Sequence, residues 1–275
     1  MKEAKEGLLT IVGTGILAAG QLTIEAKSYI QNADKVFYLV TDPIASRYIE
    51  LLNPSAEDLH VHYAAGKPRI LTYNEMVERI VTEVRKGLHV CVAFYGHPGV
   101  FVYPSHKAIS EARRLGFQAR MLPGVSAEDC LFADLGLDPG MGCQSFEATS
   151  FLVRKVLFDP HYLLILWQIG VLGDLLYSPK AKGPAEKLKV LADYLMSIYE
   201  EDCIGVVYEA TFYPSCVPRV DKVLLSDLHT IPVSGISTLC IPSPLSPQVD
   251  EEMVTKLGVE RQHLGKTRFA VNVEG

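Results

Sequence analysis

Short apolar runs, rich in β-branched and aromatic residues, alternate along the first half of the chain with segments of helical periodicity. The apolar runs predict strands over residues 8–12, 36–40, 88–95 and 118–122. The periodic segments predict helices over residues 23–31, 73–86 and 105–115. In the second helix, five apolar residues fall on one face: Met76, Val77, Ile80, Val81 and Val84. Because strands that alternate with helices are typical of βα units, we expect a largely parallel sheet here.

A second group of elements begins at Pro123 and Gly124. Ser126 is predicted to cap a helix, with Asp129 as its partner in a capping box. Later strands are predicted over residues 162–168, 204–209, 220–225 and 236–241, and helices over 184–199 and 250–257. A chain of 275 residues suits two domains. We expect an N-terminal α/β domain over 1–122 with a mainly parallel sheet, a C-terminal α/β domain over 123–243 with a mixed sheet, and a helix and tail over 244–275.

Composition and charge exclude several classes of protein. Hydrophobic residues make up 48% of the chain and charged residues 21%, as in globular proteins. The 32 acidic residues outnumber the 26 Lys and Arg, so the chain lacks the positive field of a general nucleic-acid binder. Because no apolar run reaches the length of a membrane span and no signal peptide is apparent, we expect no membrane association and a cytoplasmic location. The scattered cysteines argue against structural disulfides or a structural metal.

A glycine turn follows the first predicted strand. Gly13 and Gly15, with Ala18, loosely match the GxGxx(G/A) fingerprint of dinucleotide-binding proteins. Asp42 follows the second strand, where such a site places an acidic residue, although the interval from the glycines is longer than usual. A tight turn that needs the backbone freedom of glycine explains the motif at least as well. Both interpretations stay open.

Two later segments follow predicted strands and precede predicted helices. The sequence YGHPGVF over residues 95–101 closes a buried strand, and ligands bind beyond the carboxyl ends of strands in open α/β sheets. We therefore expect a ligand at this loop. The sequence GVSAED over residues 124–129 could bind a carboxylate or an adenine with its first helical N–H groups. Helix capping by Ser126 explains this second segment without a ligand.

A pair of histidines and a set of polar aromatic residues lie between these motifs. His60 and His62 would share one face, as in a metal pair, if residues 59–63 were extended. No third ligand is apparent, so structural histidines are the favoured interpretation. Tyr63, Arg69 and Tyr73 surround an irregular stretch, and the last two would share a helix face if the next helix began early. On spacing alone, these three residues are interpreted as surface positions.

The ordered motifs of the chain resemble those of a known family. They read VGTGI, YGHPGVFVYPSH, MLPGVSAEDCLFADLG, CQSFEAT, LLILWQIG, VVYEA and GISTLCIP, and the resemblance to tetrapyrrole methylases runs from about residue 8 to 242. More narrowly, the chain resembles the borosin α-N-methyltransferases, which methylate backbone amides of a ribosomally made precursor peptide. His97 stands where general tetrapyrrole methylases carry the Asp of a GDP-type sequence. This departure favours the peptide-methylating branch.

The resemblance implies a tetrapyrrole-methylase-like fold of two α/β domains, with S-adenosyl-L-methionine (SAM) folded in the interdomain cleft and no metal. SAM is a sulfonium cation with a carboxylate and an adenine, which suit aromatic faces, helix N–H groups and short polar side chains. S-adenosyl-L-homocysteine would be the product. The SAM contacts that the resemblance implies are Tyr95, His97, Val100, Phe101, Ser126, Ala127, Gln168, Tyr208, Ala210, Ser237 and Thr238.

The catalytic region of the family matches Tyr63, Arg69 and Tyr73, and His60 stands where a further tyrosine is often found. An amide nitrogen is a poor nucleophile because its lone pair is delocalised into the carbonyl, so methylation requires loss of its proton or of that resonance. We hypothesise that Arg69 and a tyrosine hydroxyl stabilise the developing oxyanion, while Tyr73 assists proton removal.

The resemblance also bears on partners. Single-chain borosin enzymes carry their substrate as a long C-terminal extension, whereas about thirty residues follow the last predicted strand here. We therefore expect a split system, in which a separate precursor peptide binds a homodimeric methyltransferase. A dimer that binds two precursors would form a heterotetramer. Two alternatives stay open: SAM-dependent methylation of a tetrapyrrole or other small molecule, and an inactive module that binds SAM.

Overall fold

The N-terminal part of the chain is built around a parallel sheet. The computed structural model describes residues 7–17, 19–174, 176, 185–243 and 247–264. The strands of this sheet are β1 (Leu8–Gly13), β2 (Lys35–Leu39), β3 (Glu57–Asp58), β4 (His89–Phe94) and β5 (Gln118–Met121). Their order is β3-β2-β4-β1-β5, and every neighbouring pair is parallel. The α/β class expected from the alternating pattern is confirmed.

Helices cover both faces of this sheet, which explains why its central strands are apolar at nearly every position. The helices are α1 (Ile24–Asn32), α2 (Pro43–Leu52), α3 (Arg69–Arg85) and α4 (Tyr103–Arg114). Val90 and Val92 of β4 pack in one buried cluster with apolar residues of α3 and α4. Cys91 and Ala93 point the other way and pack with residues of α1 and α2. The five apolar residues predicted to share a face of α3 all belong to the first of these clusters, so the predicted face is confirmed.

The later part of the chain forms a second, mixed sheet. Its strands are β6 (Cys143–Glu147), β7 (Leu163–Trp167), β8 (Ile204–Glu209), β9 (Arg219–Leu224) and β10 (Thr238–Ile241), in the order β6-β7-β10-β8-β9. Strands β6 and β7 are parallel, and the other pairs are antiparallel. The helices are α5 (Ala127–Leu135), α6 (Ala148–Val153), α7 (Ala185–Met196) and α8 (Glu251–Leu257). Phe151, Leu188 and Leu191 pack against the buried strands.

The described residues divide into two compact units. The first takes those within Met1–Cys130, together with Leu176 and the segment Ala210–Val217. The second takes those within Leu131–Asp174, Lys180–Glu209 and Pro218–Gly275. None of the helices described is long and apolar enough to cross a membrane.

Several boundaries differ from the expectations. Helix α3 begins at Arg69 rather than at residue 73, because Pro68 takes the position before its first turn and Thr72 is buried within it. Residues Leu59–His62 form a 3-10 turn capped by Asp58 instead of an extended segment, so the two histidines do not share a strand face. Three parts of the expectations lie outside the described residues: Ala18 of the glycine motif, Pro184 at the start of a predicted helix, and the tail after residue 264.

Candidate active site

The backbones at the ends of three neighbouring strands meet at the carboxyl edge of the parallel sheet. They belong to Gly13, which ends β1, to Gly96 in the loop after β4 and to Gly124 in the loop after β5. A Cβ atom on Gly13 would lie 2.3 Å from the carbonyl oxygen of Gly96 and 3.2 Å from the Cα of Gly124. We call these three residues the glycine junction. Only glycine allows the loops to approach this closely.

The structure supports the tight-turn interpretation of the first glycine motif. Gly15 has a φ of +74°, and it exchanges backbone hydrogen bonds with Gly96. Asp42 caps α2, where one carboxylate oxygen accepts hydrogen bonds from the N–H groups of Ile44 (2.8 Å) and Ala45 (3.0 Å). Its other oxygen accepts a hydrogen bond from the hydroxyl of Tyr213. Both motif residues therefore have structural roles that require no dinucleotide.

The loop after β4 carries four of the predicted SAM contacts. Tyr95 is mostly buried, and burial, with a smaller effect of the Cys130 thiol, raises the pKa of its hydroxyl. The N–H of Gly99 donates to Nδ1 of His97 over 2.9 Å, so the imidazole closes the loop on itself. Val100 and Phe101 leave 37% and 50% of their surface exposed. Phe101 also has a left-handed φ of +54°, a strained conformation of the kind that clusters at ligand sites.

The loop after β5 leads into α5 through the predicted capping box. The N–H of Asp129 donates to Oγ of Ser126 (3.1 Å), and the N–H of Ser126 donates to the Asp129 carboxylate (2.7 Å). The capping box is therefore confirmed. These bonds use the N–H groups of Ser126 and Asp129, so the N–H groups of Ala127 and Glu128 are those of the first turn that the capping box leaves available.

The residues matched to the family's catalytic region are brought together by α3 and the turn before it. Arg69 and Tyr73 lie one turn apart on the same face of α3. The ring of Tyr73 meets that of Tyr63 edge-on, with centroids 6.5 Å apart, and that of Tyr103 at 6.0 Å. Tyr103 opens α4, directly after the loop that carries Phe101. Sequence reasoning missed Tyr103, which has no distinguishing spacing.

Two polar atoms in this region are buried without a hydrogen-bond partner among the described residues: Nε of Arg69 and Nε2 of His62. Arg69 is the first residue of α3, and no acidic residue lies in that turn. A cation at a helix N-terminus opposes the helix dipole, and a buried donor without an acceptor is unfavourable. An arrangement that lowers stability in this way is expected where a bound anion or carbonyl oxygen supplies the missing acceptor.

The histidine at position 60 has a local structural contact. Its ring Nδ1 lies 2.8 Å from the Asp58 carboxylate, and His161 forms the same contact with Asp159, two residues before it, at 2.6 Å. Among the residues that the structure describes, no group of three or more His, Cys, Asp and Glu side chains could hold a metal ion.

The second unit brings its four predicted SAM contacts to one edge of the mixed sheet. Gln168 follows β7 with a left-handed φ of +61°, and the next N–H, that of Ile169, donates to the carbonyl of Ser237 over 3.1 Å. Thr238 opens β10 and pairs with Tyr208 near the end of β8. Ser237 and Thr238 are buried, and the hydroxyl of Tyr208 donates to Asp134 over 2.6 Å.

Glu209 is a residue of this edge that sequence reasoning missed. Its Oε1 accepts hydrogen bonds from the hydroxyls of Ser237 and Ser234, the latter over 2.9 Å, and lies 3.1 Å from the Arg219 guanidinium. A carboxylate at the end of an otherwise apolar strand was the available signal. The remaining predicted contact, Ala210, follows Glu209 in the chain but belongs to the first unit.

Comparisons with known proteins identify the family and the fold. Residues 8–213 match the family of Tetrapyrrole (Corrin/Porphyrin) Methylases. The fold is similar to that of the uroporphyrin-III-C-methyltransferase from Thermus thermophilus, with a TM-score of 0.60 and 17% identity over 90% of this chain and 99% of that one. It is also similar to cobalt precorrin-4 methyltransferase, with a TM-score of 0.60 and 17% identity over 88% of this chain and 97% of that one.

Curated relatives are more similar in sequence. The methyltransferase/ribosomally synthesized cyclic peptide dendrothelin A precursor of Dendrothele bispora is 43% identical over 93% of this chain. The corresponding gymnopeptides precursor of Gymnopus fusipes is 46% identical over 87%. The chain spans 62% and 58% of the lengths of these two relatives, respectively. Because the family match covers well over half of the sequence, the chain belongs to the tetrapyrrole (corrin/porphyrin) methylases.

Proposed function

We propose that this chain is a SAM-dependent methyltransferase that acts on backbone amide nitrogens of a ribosomally made precursor peptide, as in borosin biosynthesis. The observation that carries the proposal is the position of Arg69, whose buried Nε lacks an acceptor among the described residues one helical turn from Tyr73. An amide oxygen that gains negative charge needs a hydrogen-bond donor that no protein acceptor already occupies, and Nε of Arg69 is such a donor among the described residues. The names of relatives about 40% identical, which couple a methyltransferase to a cyclic peptide precursor, support the same substrate class.

Amide methylation requires the electrons of the nitrogen to be released from the carbonyl. When the N–H proton is lost, the negative charge moves largely onto the carbonyl oxygen, and Arg69 would hold that oxygen with its guanidinium. Tyr73 would accept the proton as a phenolate, or would relay it by giving its own hydroxyl proton to solvent as the amide proton arrives. The hydroxyl of Tyr63 would donate a second hydrogen bond to the oxygen. The ring contacts of Tyr63 and Tyr73 limit the rotamers of both side chains, so little reorganisation is needed.

SAM would supply an electrophilic methyl group on a sulfonium centre. In the first unit, Tyr95, Val100 and Phe101 offer aromatic and apolar surface, and the first turn of α5 at Ser126 and Ala127 offers N–H groups. His97 would keep its loop in shape. The remaining proposed contacts are Ala210 in the first unit and Gln168, Tyr208, Ser237 and Thr238 in the second. The chemistry of this donor set fits SAM, since it combines apolar faces with short hydroxyls and backbone N–H groups.

The precursor peptide can reach the enzyme as a separate chain or as part of the same chain. We propose a precursor supplied as a separate chain to a homodimeric enzyme, and the fused arrangement in the names of the relatives is the alternative. Light scattering coupled to gel filtration would measure the oligomeric state with and without the peptide. Methylation at a rate that depends on added peptide supports presentation on a separate chain.

The test is incubation of the chain with SAM and the precursor segment of the Dendrothele bispora relative, followed by tandem mass spectrometry. Successive methyl additions on backbone nitrogens support the proposal. If SAM binds in a calorimeter and only a tetrapyrrole such as uroporphyrinogen III is methylated, the small-molecule alternative is correct. SAM binding without transfer to either acceptor would indicate an inactive binding module.

A further inference from the structure

Asp42 is a nearly buried carboxylate with two separate tasks. Oδ1 caps α2 by accepting the N–H groups of Ile44 and Ala45. Oδ2 is left for the hydroxyl of Tyr213, 171 residues later in the chain. Burial works to raise the pKa of Asp42, but the hydrogen bonds from Tyr213 and from the two N–H groups outweigh it and hold the pKa below its ordinary value. The carboxylate therefore stays charged and is a strong acceptor.

Tyr213 lies in the loop between two strands of the second sheet. Residues Ala210–Val217 connect β8 and β9, which belong to the second unit, yet the segment itself belongs to the first. Within the segment, Oγ1 of Thr211 accepts the N–H of Tyr213 over 3.2 Å and donates to its carbonyl over 3.1 Å. These two bonds stiffen the turn around Tyr213, so its hydrogen bond to Asp42 holds the turn and not only the side chain.

The segment also contacts the candidate cofactor loop. The ring of Phe212 packs against that of Tyr95, with centroids 5.9 Å apart, and Ala210 opens the same segment. Tyr95 and Ala210 are two of the residues proposed to contact SAM. The hydrogen bond between Tyr213 and Asp42 therefore anchors a segment that includes one proposed cofactor residue, Ala210, and packs against another, Tyr95.

We infer that Tyr213 and Asp42 are positioning residues of the cofactor site, which hold the segment Ala210–Val217 with Phe212 against Tyr95. This inference rests on the proposed function. Neither residue touches the reacting atoms. Their hydrogen bond orders the segment before the cofactor arrives, so that binding does not have to supply the ordering free energy. Without it, SAM binds more weakly, while the chemical step at saturating SAM is unchanged.

The experiment compares the full chain with Tyr213→Phe, which removes one hydroxyl, and with Tyr38→Phe as a matched control. Tyr38 also lies in the first unit and donates a hydrogen bond to a carboxylate, that of Glu50 over 2.9 Å, but it is a buried residue of β2. Titration calorimetry measures the Kd of SAM, and steady-state assays with the peptide measure KM for SAM and kcat. We expect Tyr213→Phe to raise Kd and KM on the order of 10-fold with kcat retained, and Tyr38→Phe to leave all three unchanged.

Equal SAM affinity in Tyr213→Phe and the unsubstituted chain overturns the inference, and so does an equal loss in both tyrosine variants. Asp42→Asn keeps an oxygen for the helix cap and replaces the charged acceptor, so it gives a second measurement if Tyr213→Phe does not fold. It should weaken SAM binding in the same direction, and an unchanged Kd counts against the inference. If the unsubstituted chain does not bind SAM at all, the proposed function itself is wrong.

Discussion

The ring of Tyr63 meets the ring of Tyr73 edge-on, with an angle of 90° between their planes and 6.5 Å between their centroids. Edge-to-face contact is a favoured geometry for aromatic pairs. It connects the residue that ends the 3-10 turn to the first half of α3. Arg69 opens the same helix, so a short stretch of chain supplies an entire proposed set of donors.

Replacing Arg69 tests the proposed oxyanion role. Arg69→Lys keeps the charge and loses the planar fork, so we expect the methylation rate to fall by about 100-fold or more while the Kd of SAM changes by less than about twofold. Single-turnover mass spectrometry and calorimetry measure these quantities. Arg85→Lys, at the end of the same helix with an exposed bond to Glu78, is the control and should retain full activity. A normal rate for Arg69→Lys would remove this residue from the mechanism.

Tyr73 can be changed without altering the aromatic packing. Tyr73→Phe keeps the contacts with Tyr63 and Tyr103 and removes only the hydroxyl. We expect an unchanged melting temperature and a loss of about 100-fold or more in kcat, because general acid–base groups contribute on this scale. Tyr103→Phe is the matched variant on the other side of the ring and should lose much less. Equal activity of the two variants would contradict the assignment of Tyr73.

The role of His97 can be separated into two parts by a pair of substitutions. Its Nδ1 accepts the Gly99 N–H, and the amide oxygen of asparagine can replace that acceptor. If loop closure is its role, His97→Asn retains SAM affinity within a few-fold and His97→Ala loses on the order of 10-fold. Calorimetry of both variants decides. Equal losses would instead assign the function to the imidazole ring itself.

The glycine junction predicts a large difference between two Gly→Ala substitutions. Gly13→Ala places a methyl group 2.3 Å from the Gly96 oxygen, which must shift the backbone, and we expect a loss of roughly 3 kcal/mol or more. Gly136→Ala meets open space and has only the strain of a φ of +63°, about 1 kcal/mol. Chemical denaturation measures both. Similar stabilities would show that the loops can separate without penalty.

An ion-pair network around α3 predicts that the free energy of unfolding falls at acid pH. Burial works to raise the pKa of Glu57, but bidentate hydrogen bonds from Arg79 and one from Lys35 hold the pKa below its ordinary value. Hydrogen bonds from Lys86 and then Arg79 lower the pKa of Glu83 as well. A carboxyl whose pKa is lower in the folded chain stabilises the fold above its unfolded pKa, and this contribution is lost as the pH falls through the folded value.

The free energy of unfolding should therefore decrease as the pH is lowered below about 5, and Arg79→Met should flatten that decrease. Arg114→Met, which removes an exposed pair with Glu111 on α4, is the control and should leave the profile nearly unchanged. Denaturant titrations at several pH values measure the profile. If Arg79→Met keeps the full slope, the network does not cause it.

Local signals were sufficient for much of the architecture. The capping box of Ser126 and Asp129 and the buried face of α3 follow from spacing within one helix, and both are observed. Helix α2 was missed, although Asp42 and Pro43 supply a cap and a first-turn proline, because the acidic residue was considered as a ligand group. Strand β6 was missed because it lies at a sheet edge, is only partly buried and lacks apolar alternation.

The features of the candidate site that sequence could not predict are long-range or conformational. The contact of Tyr95 with Phe212 joins two loops that are far apart in the chain, and no local pattern of residues predicts it. The left-handed backbones of Phe101 and Gln168 leave no mark in the sequence, since neither residue type favours that region. The missing acceptor of Arg69 is visible only when all of its neighbours are in place.

The glycine junction has a consequence for how movement passes between the loops beyond the sheet. Where Gly13, Gly96 and Gly124 meet, the nearest neighbours are mainly main-chain atoms, which have no alternative rotamers with which to absorb a displacement. Because packed interiors transmit strain, a shift of the loop after β4 would displace the main chain at the end of β1 and at the entry to α5. The ligand loop and the first turn of α5 are therefore mechanically coupled through three residues that carry no side chain.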